Sequence, residues 1–352
     1  MVSATLTKNP KPIEGHKYGI EVGAPAETAP AGDNAAVVKI QAAALNHRDV
    51  WILKGLYPGI KAGSIIGSDG VGIVQEKGNS TVAVNQRVLI NPGVGWDSDP
   101  KAPEGLFTIL GLLPAPGTLT DTVKIDGQEL VPCPEHLSTQ EAAALPLAGL
   151  TAWRALFTKA EVKAGDHVLI PGIGGGVALF ALQFAVAAGA HVYVTSSSPE
   201  KIKRAVAMGA VGGVNYKDPN AMKELKTLLG RNTLAAVVDG SGGALFAQYV
   251  RLMKPGGIIA QYGQTASPKG VGFSMAHVLK HVDIRGSTMG SRREFKDMVA
   301  FVEKHKIKPV VSHTFKGLTQ ATLDKALETL ANGEQFGKVV IEIDDAARSS
   351  KL

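Results

Sequence analysis

Cysteine is nearly absent from this chain of 352 residues. The single thiol, Cys133, has no second cysteine with which to form an intramolecular disulfide, and it cannot build a thiolate zinc cluster alone. A small disulfide-stapled scaffold is therefore excluded. A reducing compartment is the environment that this cysteine usage favours.

Aromatic residues are also scarce, at 5% of the sequence, and 37 basic against 31 acidic residues leave a net charge of only +6. No basic stretch is interleaved with aromatic residues, as it would be on a surface that stacks and neutralises nucleic acid. The cationic segment 280–308 needs only a solvated helix face to explain it. We therefore expect an anionic small molecule as the partner, and nucleic acid is not expected.

A long hydrophobic run is missing as well. The segment between His167 and His191 carries no charged residue, but Pro171 and the glycines after it leave about a dozen residues of apolar helix, too few to span a bilayer. Residues 1–12 lack the apolar core of a secretion signal. Neither a membrane partner nor secretion is expected.

What is present points to a globular chain of two domains. At about 150 residues per domain, the length allows two hydrophobic cores, and the sequence is 45% hydrophobic. Between residues 37 and 130, short apolar runs separated by glycine predict a compact β domain. From Gly165 onwards, short β-branched runs alternate with longer helical stretches, which predicts a parallel sheet covered on both faces.

The second half of the chain divides into predicted strands and helices. Six strands of a doubly wound sheet are predicted at residues 167–170, 191–195, 212–216, 235–239, 257–262 and 282–287. Helices are predicted near 177–188, 199–208, 219–229, 242–253, 292–305 and 320–331, before a last strand at 338–343. Ser198 and Pro199 have the residue types of an N-cap and of the first helical position.

The first of these strands leads into Pro-Gly-Ile-Gly-Gly-Gly-Val-Ala at residues 171–178, and an apolar helix follows. Glycines let main-chain N–H groups approach a pyrophosphate, and the helix N-terminus supplies further donors and a positive dipole. Val177 stands where G-x-G-x-x-G requires its third glycine, yet Gly174, Gly175 and Gly176 can still form the tight turn. The loop predicts a dinucleotide site, and a plain strand-to-helix turn is the alternative.

The end of the second strand distinguishes the two nicotinamide cofactors. A carboxylate there would accept hydrogen bonds from a ribose 2′-hydroxyl, but residues 195–198 are Thr-Ser-Ser-Ser. Lys201 and Arg204 follow one turn later, and cations of this kind bind a 2′-phosphate. The pattern favours NADPH as cofactor (the NADP couple), with an ordinary capped helix bearing exposed cations as the alternative.

Five further motifs occur along the chain in a fixed order. They are Ala44-Leu45-Asn46-His47-Arg48-Asp49, Gly67-Ser68-Asp69-Gly70-Val71-Gly72, Leu147-Ala148-Gly149-Leu150-Thr151-Ala152, Lys254-Pro255-Gly256-Gly257 and Gly337-Lys338-Val339-Val340. Together with the glycine loop, this ordered set resembles the medium-chain dehydrogenase/reductase superfamily, in particular its zinc-free, quinone-oxidoreductase-like branch.

The resemblance implies a fold and a division of the chain. The fold class is α/β, with a GroES-like β-rich catalytic domain and a Rossmann domain that has a doubly wound parallel sheet. The GroES-like catalytic domain would comprise residues 1–135 and 288–352, and the Rossmann NADPH-binding domain would comprise residues 136–287. The resemblance places the active site in the cleft between the two.

The resemblance also implies cofactor contacts. Ser197, Ser198, Lys201 and Tyr216 resemble the positions that hold the 2′-phosphate in NADPH-using members. Gly175, Gly176 and Val177 resemble the pyrophosphate contact. Thr151 and Gly263 fall where the family approaches the nicotinamide, and Arg292 resembles a further cofactor contact.

Metal-dependent relatives hold a catalytic zinc with Cys, His and Cys or Asp side chains. The resemblance places Asn46, Ser68 and Leu147 at these three positions, and none of the three is a usual zinc ligand. The four-cysteine structural zinc lobe is also missing from residues 91–117. We expect no metal. A replacement site built from His47, Asp49 and Asp69 is the alternative, although these residues are more simply explained as hydrogen-bonded loop groups.

The chemistry that remains favours reduction, because no Lewis acid is expected to lower the pKa of an alcohol proton. A quinone or enone can accept hydride at carbon while negative charge moves to an oxygen that hydrogen-bond donors stabilise. Asn46 is the first candidate to orient or polarise the substrate, Asp49 is expected to fix the local loop, and Trp51 to stack on the substrate. The final proton then comes from water. Simple capping by Asn46 and core packing by Trp51 stay open.

The function that the sequence supports is an NADPH-dependent, zinc-independent reductase of quinones or α,β-unsaturated carbonyls. One alternative is a peroxisomal enoyl-thioester reductase. Another is a non-catalytic NADPH-binding protein with an interaction or regulatory role. Ser350-Lys351-Leu352 forms a peroxisomal address, so a eukaryotic protein is expected in peroxisomes with the import receptor as partner, and otherwise in the cytoplasm. We expect a monomer or homodimer, and residues 96–117 are either a lid or an oligomer contact.

Overall fold

The computed structural model describes residues 1–9, 15–24, 35–243, 245–266, 270 and 272–343. The chain forms two compact units. The first unit combines Met1–Leu147 with Ser291–Leu352, and the second is Ala148–Gly290. The second unit is therefore inserted between the two parts of the first. It begins 12 residues later and ends three residues later than the range 136–287 expected from the sequence.

The described residues form seventeen strands and ten α-helices. The strands are β1 (Ser3–Thr7), β2 (Gly19–Gly23), β3 (Ala36–Leu45), β4 (Asp69–Glu76), β5 (Arg87–Ile90), β6 (Gly93–Val94), β7 (Thr108–Ile109), β8 (Thr122–Ile125), β9 (Leu130–Pro132), β10 (His167–Ile170), β11 (His191–Ser196), β12 (Gly212–Asn215), β13 (Leu234–Asp239), β14 (Met253–Gln261), β15 (Asp283–Gly286), β16 (Val311–Lys316) and β17 (Lys338–Glu342). The helices are α1 (His47–Leu53), α2 (Thr139–Ala144), α3 (Pro146–Trp153), α4 (Gly176–Ala187), α5 (Pro199–Ala207), α6 (Ala221–Leu229), α7 (Phe246–Tyr249), α8 (Met275–Leu279), α9 (Arg292–His305) and α10 (Gln320–Asn332).

The main sheet of the first unit has the order β16-β17-β3-β4-β5-β9, and β8 also pairs with β3. β3 reads AVVKIQAAAL and is buried along most of its length, as expected for a strand covered on both faces. The antiparallel register pairs Ala44 with Asp69 and Leu45 with Val339. The end of β3 therefore lies beside the starts of β4 and β17, which brings three distant parts of the sequence together.

Helix α10 covers the sheet of the first unit. Its leucines 323, 327 and 330 recur on one helix face and pack in the same core cluster as Val339 and Ile341 of β17. Thr319 caps the first turn by accepting a hydrogen bond from the Thr322 N–H at 3.2 Å. Gly333 ends the helix with φ +70°. The helix predicted at 320–331 is thus present.

The second unit contains a six-stranded sheet of order β12-β11-β10-β13-β14-β15, in which every pairing is parallel. Numbered from β10, this is the strand order 3-2-1-4-5-6 of dinucleotide-binding folds. The predicted doubly wound α/β domain is confirmed. In sheets of this kind ligands bind at the carboxyl ends of the strands, next to the point where the strand order reverses.

The helix predicted at 242–253 is wrong in its extent. The structure has only α7, followed by a 3₁₀ turn at Val250–Leu252, and β14 already begins at Met253. Gly242 and Gly243 have φ values of +66° and +83°, which no right-handed helix allows. The Asp239 carboxylate accepts hydrogen bonds from the N–H groups of Ser241 and Gly242 and so stabilises a turn there instead.

The segment 96–117 folds as part of the first unit. The carboxylate of Glu104 accepts main-chain hydrogen bonds from Asp97, Ser98 and Asp99 at 2.8, 2.7 and 2.7 Å. The Trp96 indole N–H donates to the Asp99 carbonyl at 2.8 Å. A carboxylate thus organises the part of the chain in which zinc-containing relatives were expected to carry four cysteines.

Two expectations concern membranes and targeting. Among the described residues, no helix combines the length and the apolar character that crossing a membrane requires. Ser350, Lys351 and Leu352 lie outside the described residues, so the targeting prediction remains an expectation from the sequence.

Candidate functional site

The glycine loop after β10 is bound to the end of β11. The N–H of Ile173 donates to the Thr195 carbonyl at 2.8 Å, and the N–H of Gly172 donates to Thr195 Oγ1 at 3.1 Å. Gly174 has φ +131°, a backbone conformation that other residues rarely adopt. Glycine is therefore required at this position if the loop is to follow its path into α4.

Helix α4 begins at Gly176 with Gly175 as its N-cap residue, and no side chain caps it. The N–H groups of the first turn, including that of Val177, have no partner within the helix, because the residues that would accept from them precede it. A helix start of this kind provides donors for phosphate oxygens. Gly174, Gly175, Gly176 and Val177 therefore fit the pyrophosphate of a dinucleotide.

Lys201 of α5 lies against this loop. A Cβ atom built on Gly174 would lie 3.0 Å from Lys201 Cδ and 3.5 Å from Lys201 Nζ. Ser198 starts the same helix, and its Oγ accepts a hydrogen bond from the Lys201 N–H at 3.3 Å. Ser197 is exposed beside it. Two hydroxyl groups and an ammonium group thus stand at the carboxyl end of β11, where a 2′-phosphate would be recognised.

Tyr216 belongs to the same region. Its main-chain N–H donates to the Ser196 carbonyl at 3.2 Å, immediately after β12, and its side chain is 42% exposed. Strands β11 and β12 are neighbours in the sheet, so the four residues predicted for the 2′-phosphate come from two adjacent strand ends. Residues 195–198 include no carboxylate that would repel a phosphate. The nearest acidic residue that follows them is Glu200, in the first turn of α5.

The two residues predicted near the nicotinamide lie in the second unit. Thr151 on α3 is buried, and its Oγ1 is 3.9 Å from the Met289 sulfur. Gly263 follows β14, and a Cβ atom there would come within 2.9 Å of the Gly240 carbonyl oxygen. The absence of a side chain at Gly263 therefore lets the segments after β13 and β14 approach each other at the carboxyl edge of the sheet.

Arg292 lies in the first unit, at the start of α9, where it takes part in an ion-pair network. Its guanidinium donates to Asp97 at 2.6 Å, to Gln128 at 3.1 Å and to buried Glu129 through Nε at 3.2 Å and through Nη2. The hydrogen bonds to Glu129 raise the pKa of Arg292. These contacts use four of the five guanidinium N–H groups, so Arg292 holds three residues of the first unit together. Its contact with the cofactor remains a prediction.

A second polar cluster lies in the first unit around Asp69, the first residue of β4. Lys338, the first residue of β17, donates to Asp69 Oδ2 at 2.9 Å, and the two side chains are 4% and 0% exposed. The Asn46 side-chain nitrogen donates to the same carboxylate oxygen at 2.8 Å. The Leu147 main-chain N–H donates to Asp69 Oδ1 at 2.6 Å. Both oxygens of the carboxylate are therefore engaged.

Metal-dependent relatives would carry zinc ligands at three positions. Two of the residues found there, Asn46 and Leu147, bind Asp69 directly, and the third, Ser68, precedes Asp69 in the chain. The Ser68 hydroxyl donates to the Leu110 carbonyl at 2.8 Å and also accepts from Arg48. An amide engaged with a carboxylate, a hydroxyl engaged with a carbonyl and an aliphatic side chain do not form a zinc site. Among the described residues, no three His, Cys, Asp or Glu side chains are grouped to hold a metal. The residues do not fit a catalytic zinc.

Helix α1 carries the other residues predicted for catalysis. Asp49 Oδ2 accepts a hydrogen bond from the Asn46 main-chain N–H at 2.8 Å, which fixes the start of the helix. Burial raises the pKa of Asp49, and Oδ1 has no hydrogen-bond partner among the described residues. Trp51 is half-buried, with its ring centroid 6.2 Å from that of His47, which is exposed. Although His47 is exposed, partial desolvation of its ring by neighbouring atoms and then the positive charge of Lys54 lower its pKa.

Sequence analysis missed the part that Lys338 plays. The residue stands in the Gly-Lys-Val-Val motif, but no role was inferred for it. The available signal was a lysine at the start of an otherwise apolar strand, since a buried lysine requires a partner of opposite charge. The identity of that partner could not be read from the sequence, because Asp69 is 269 residues away.

Comparison with protein families covers both units. The family of alcohol dehydrogenase GroES-like domains matches residues 32–135, and the family of zinc-binding dehydrogenases matches residues 176–304. The first match confirms the expected GroES-like domain. The second family is named for zinc binding, whereas the residues of this chain do not fit zinc at the expected positions.

Individual relatives cover nearly the whole chain. A zinc-type alcohol dehydrogenase-like protein, YogA, from Leptosphaeria maculans is 44% identical, with 96% of this chain and 99% of the relative aligned. The acryloyl-coenzyme A reductase of Metallosphaera sedula is 28% identical over 94% of this chain and 98% of its own length. Among solved structures, an NAD-dependent alcohol dehydrogenase superposes with a TM-score of 0.85 at 33% identity, covering 98% of this chain and 100% of that one.

Proposed function

The chain belongs to the medium-chain dehydrogenase/reductase superfamily of oxidoreductases, and we propose that it is an NADPH-dependent, metal-independent reductase of conjugated carbonyl compounds such as quinones and enones. The observation that carries this proposal is the cluster around Asp69. There the amide of Asn46, at one of the three zinc-ligand positions, donates to a carboxylate that is itself paired with a buried lysine. A reductase that uses hydrogen-bond donors in place of a Lewis acid agrees with such a site.

The second unit supports NADPH as the cofactor. Ser197, Ser198, Lys201 and Tyr216 would hold the 2′-phosphate, and the N–H groups of the glycine loop and of the first turn of α4 would hold the pyrophosphate. The bound cofactor would supply the hydride. An NAD-dependent alcohol dehydrogenase of known structure shares this fold, so the cofactor preference rests on the strand-end residues and not on the fold.

The residues at the zinc-ligand positions favour reduction of a carbonyl over oxidation of an alcohol. Oxidation of an alcohol requires the pKa of its hydroxyl to be lowered, and the residues at the zinc positions cannot hold the metal that would do so. A conjugated carbonyl needs only hydrogen-bond donors for the negative charge that develops on its oxygen. Asn46 would donate to this oxygen through its side-chain nitrogen.

The other residues of α1 would support this step. Asp49 holds the start of the helix through the Asn46 main-chain N–H, so it positions the backbone that carries the amide. Trp51 would stack on a flat acceptor such as a quinone, and its indole is a poor proton donor. We therefore assign the final proton to water.

Conjugated thioesters are a second class of acceptor. The specific support is the relative named acryloyl-coenzyme A reductase, whose substrate contains a carbon–carbon double bond next to a thioester carbonyl. The same requirement applies, because charge from the incoming hydride again moves to the carbonyl oxygen. This class belongs in the first acceptor screen.

An acceptor screen tests the proposal. Purified protein is mixed with NADPH and a quinone, an enone or an enoyl-coenzyme A thioester, and loss of the reduced cofactor is followed by its absorbance. We expect oxidation of NADPH with at least one acceptor, a higher Michaelis constant for NADH, and little oxidation of simple alcohols with NADP. Binding of NADPH without its oxidation by any acceptor would contradict the proposal and leave a cofactor-binding protein.

A further inference from the structure

We propose that Lys338 is a positioning residue of this site. Its ammonium group, paired with Asp69, binds the side-chain oxygen of Asn46 and so fixes the amide in the orientation that leaves its nitrogen able to donate to a substrate oxygen. This inference rests on the proposed function, because it explains how an amide can act where relatives use a metal. No role for Lys338 was inferred from the sequence.

The ammonium group is fully used by its neighbours. It donates to the Leu45 carbonyl at 2.7 Å, to Asn46 Oδ1 at 2.6 Å and to Asp69 Oδ2 at 2.9 Å. A lysine ammonium has three N–H groups, and these three contacts occupy all of them. Lys338 has no proton left for a substrate, so it acts through Asn46.

The partners of Asn46 fix the orientation of its amide chemically. An ammonium group only donates, so the atom 2.6 Å from Lys338 Nζ must be the amide oxygen. An ionised carboxylate only accepts, so the atom 2.8 Å from Asp69 Oδ2 must be the amide nitrogen. A flipped amide would bring oxygen to oxygen and nitrogen to ammonium. The ion pair therefore excludes the flipped state.

This orientation is the one that the proposed reduction needs. Asp69 accepts one of the two N–H groups of the Asn46 side chain, which leaves the other as a possible donor to an oxygen that gains negative charge. The cation on the amide oxygen polarises the amide and strengthens its nitrogen as a donor. Without the ion pair, half of the amide orientations would present an oxygen to the substrate oxygen.

The ion pair of Lys338 and Asp69 is buried, so well-placed hydrogen bonds must offset the free-energy cost of removing both charges from water. Both charges are removed from water, and buried ion pairs are often no more stabilising than apolar side chains of similar volume. Removal of one partner leaves an unpaired buried charge, whereas removal of both can leave the fold nearly unchanged. This difference allows positioning to be separated from folding.

The experiment compares the parent with Lys338→Met and with the double variant Lys338→Met/Asp69→Asn. We expect the single variant to melt well below the parent, and the double variant to regain most of this loss while binding NADPH with an affinity within about twofold of the parent. Turnover of the double variant should still be reduced at least tenfold, with a smaller change in KM, since a single misplaced donor to an oxyanion costs about 10²-fold. Lys254→Met, which removes a half-exposed lysine 3.6 Å from Asp166, is the matched control.

A second measurement does not depend on turnover. In protein with isotope-labelled asparagine, the side-chain NH₂ signals of Asn46 are identified by their loss in Asn46→Ala. We expect them to exchange slowly with solvent in the parent and at least tenfold faster in the double variant, because the amide is then free to turn. If the double variant does not fold, the same measurement is made on Lys338→Met below its melting temperature, and the same faster exchange is expected.

The outcomes separate the two proposals. If the parent oxidises NADPH with no acceptor, the proposed function fails, but slow exchange of the Asn46 amide that depends on Lys338 would still support its positioning. If the parent is active and a folded variant without the ion pair keeps parental turnover, or if Asn46 exchange is unchanged, Lys338 is a purely structural residue and the inference is overturned.

Discussion

The side chain of Lys201 covers the backbone of Gly174. A Cβ atom at Gly174 would lie 3.0 Å from Lys201 Cδ, so the glycine makes room for the lysine stem as well as for the turn. One lysine thereby connects the loop that would hold the pyrophosphate with the serines that would hold the 2′-phosphate. This connection makes Lys201 the most direct test of cofactor choice.

Replacement of Lys201 by Met should weaken NADPH binding about tenfold, as expected for the loss of one charge-assisted contact to a phosphate. NADH has no 2′-phosphate, so its affinity should change much less. Titration calorimetry with both cofactors measures the ratio. Lys203→Met removes an exposed cation from the same helix and serves as the control. Equal losses for NADPH and NADH would show that Lys201 does not recognise the 2′-phosphate.

Asn46→Ala should reduce turnover about 10²-fold, because the variant lacks the donor proposed to stabilise charge on the substrate oxygen. The affinity for NADPH should change little, since the residues proposed to hold the pyrophosphate and the 2′-phosphate are in the other unit. Steady-state kinetics with calorimetry separates the two quantities. Asn79→Ala removes an exposed amide that donates to Asp126 at 3.0 Å and provides a control. Unaltered turnover in Asn46→Ala would remove this residue from the mechanism.

The metal-independent chemistry makes a separate prediction. Elemental analysis of purified protein should find far less than one zinc per chain, because an amide, a hydroxyl and an aliphatic side chain cannot replace thiolate and imidazole ligands. Dialysis against a chelator should leave NADPH-dependent turnover unchanged, and added zinc should not raise it. Stoichiometric zinc, or turnover that a chelator abolishes and zinc restores, would contradict the proposal.

The strands of the second unit could be predicted within a few residues, since β-branched runs such as His-Val-Leu-Ile lie between glycine turns that break the chain. β16 was not predicted, because Val311–Lys316 contains only two apolar residues and no buried one, so the hydrophobic pattern of this edge strand is weak. Helix α7 was predicted too long because an apolar spacing does not reveal the turn that Asp239 stabilises.

The candidate site was predictable only in part, for a related reason. Glycines, serines and Lys201 act within short segments, where spacing along the chain reflects spacing in the fold. The ion pair of Asp69 and Lys338 depends instead on the register of β3 with β4 and β17, which is set by sheet pairing between distant segments. Residues that act through such pairings become visible only when the sheet is known.

Glu104 gives a prediction about pH. Hydrogen bonds from the main-chain N–H groups of Ser98, Asp99 and Asp97 lower the pKa of its carboxyl from 4.5 to about 2. Because the pKa of Glu104 in the folded protein is below its ordinary value, the ionised carboxylate stabilises the folded state. This stabilisation is fully present above about pH 4.5 and is lost as the pH falls towards 2. We expect the segment around Trp96 to loosen over this range, since its indole donates to the Asp99 carbonyl.

The fluorescence of Trp96 measures this loosening. The signal of Trp96 is obtained by subtracting the spectrum of Trp96→Phe from that of the parent at each pH of an acid titration. Glu104→Gln is an approximate mimic of the protonated carboxyl, so its Trp96 emission at neutral pH should already resemble that of the acid form and should change little on titration to pH 2. Other carboxylates also gain protons in this range, and the variant separates their effect because it retains all of them. A Glu104→Gln titration that matches the parent would show that Glu104 does not organise this segment.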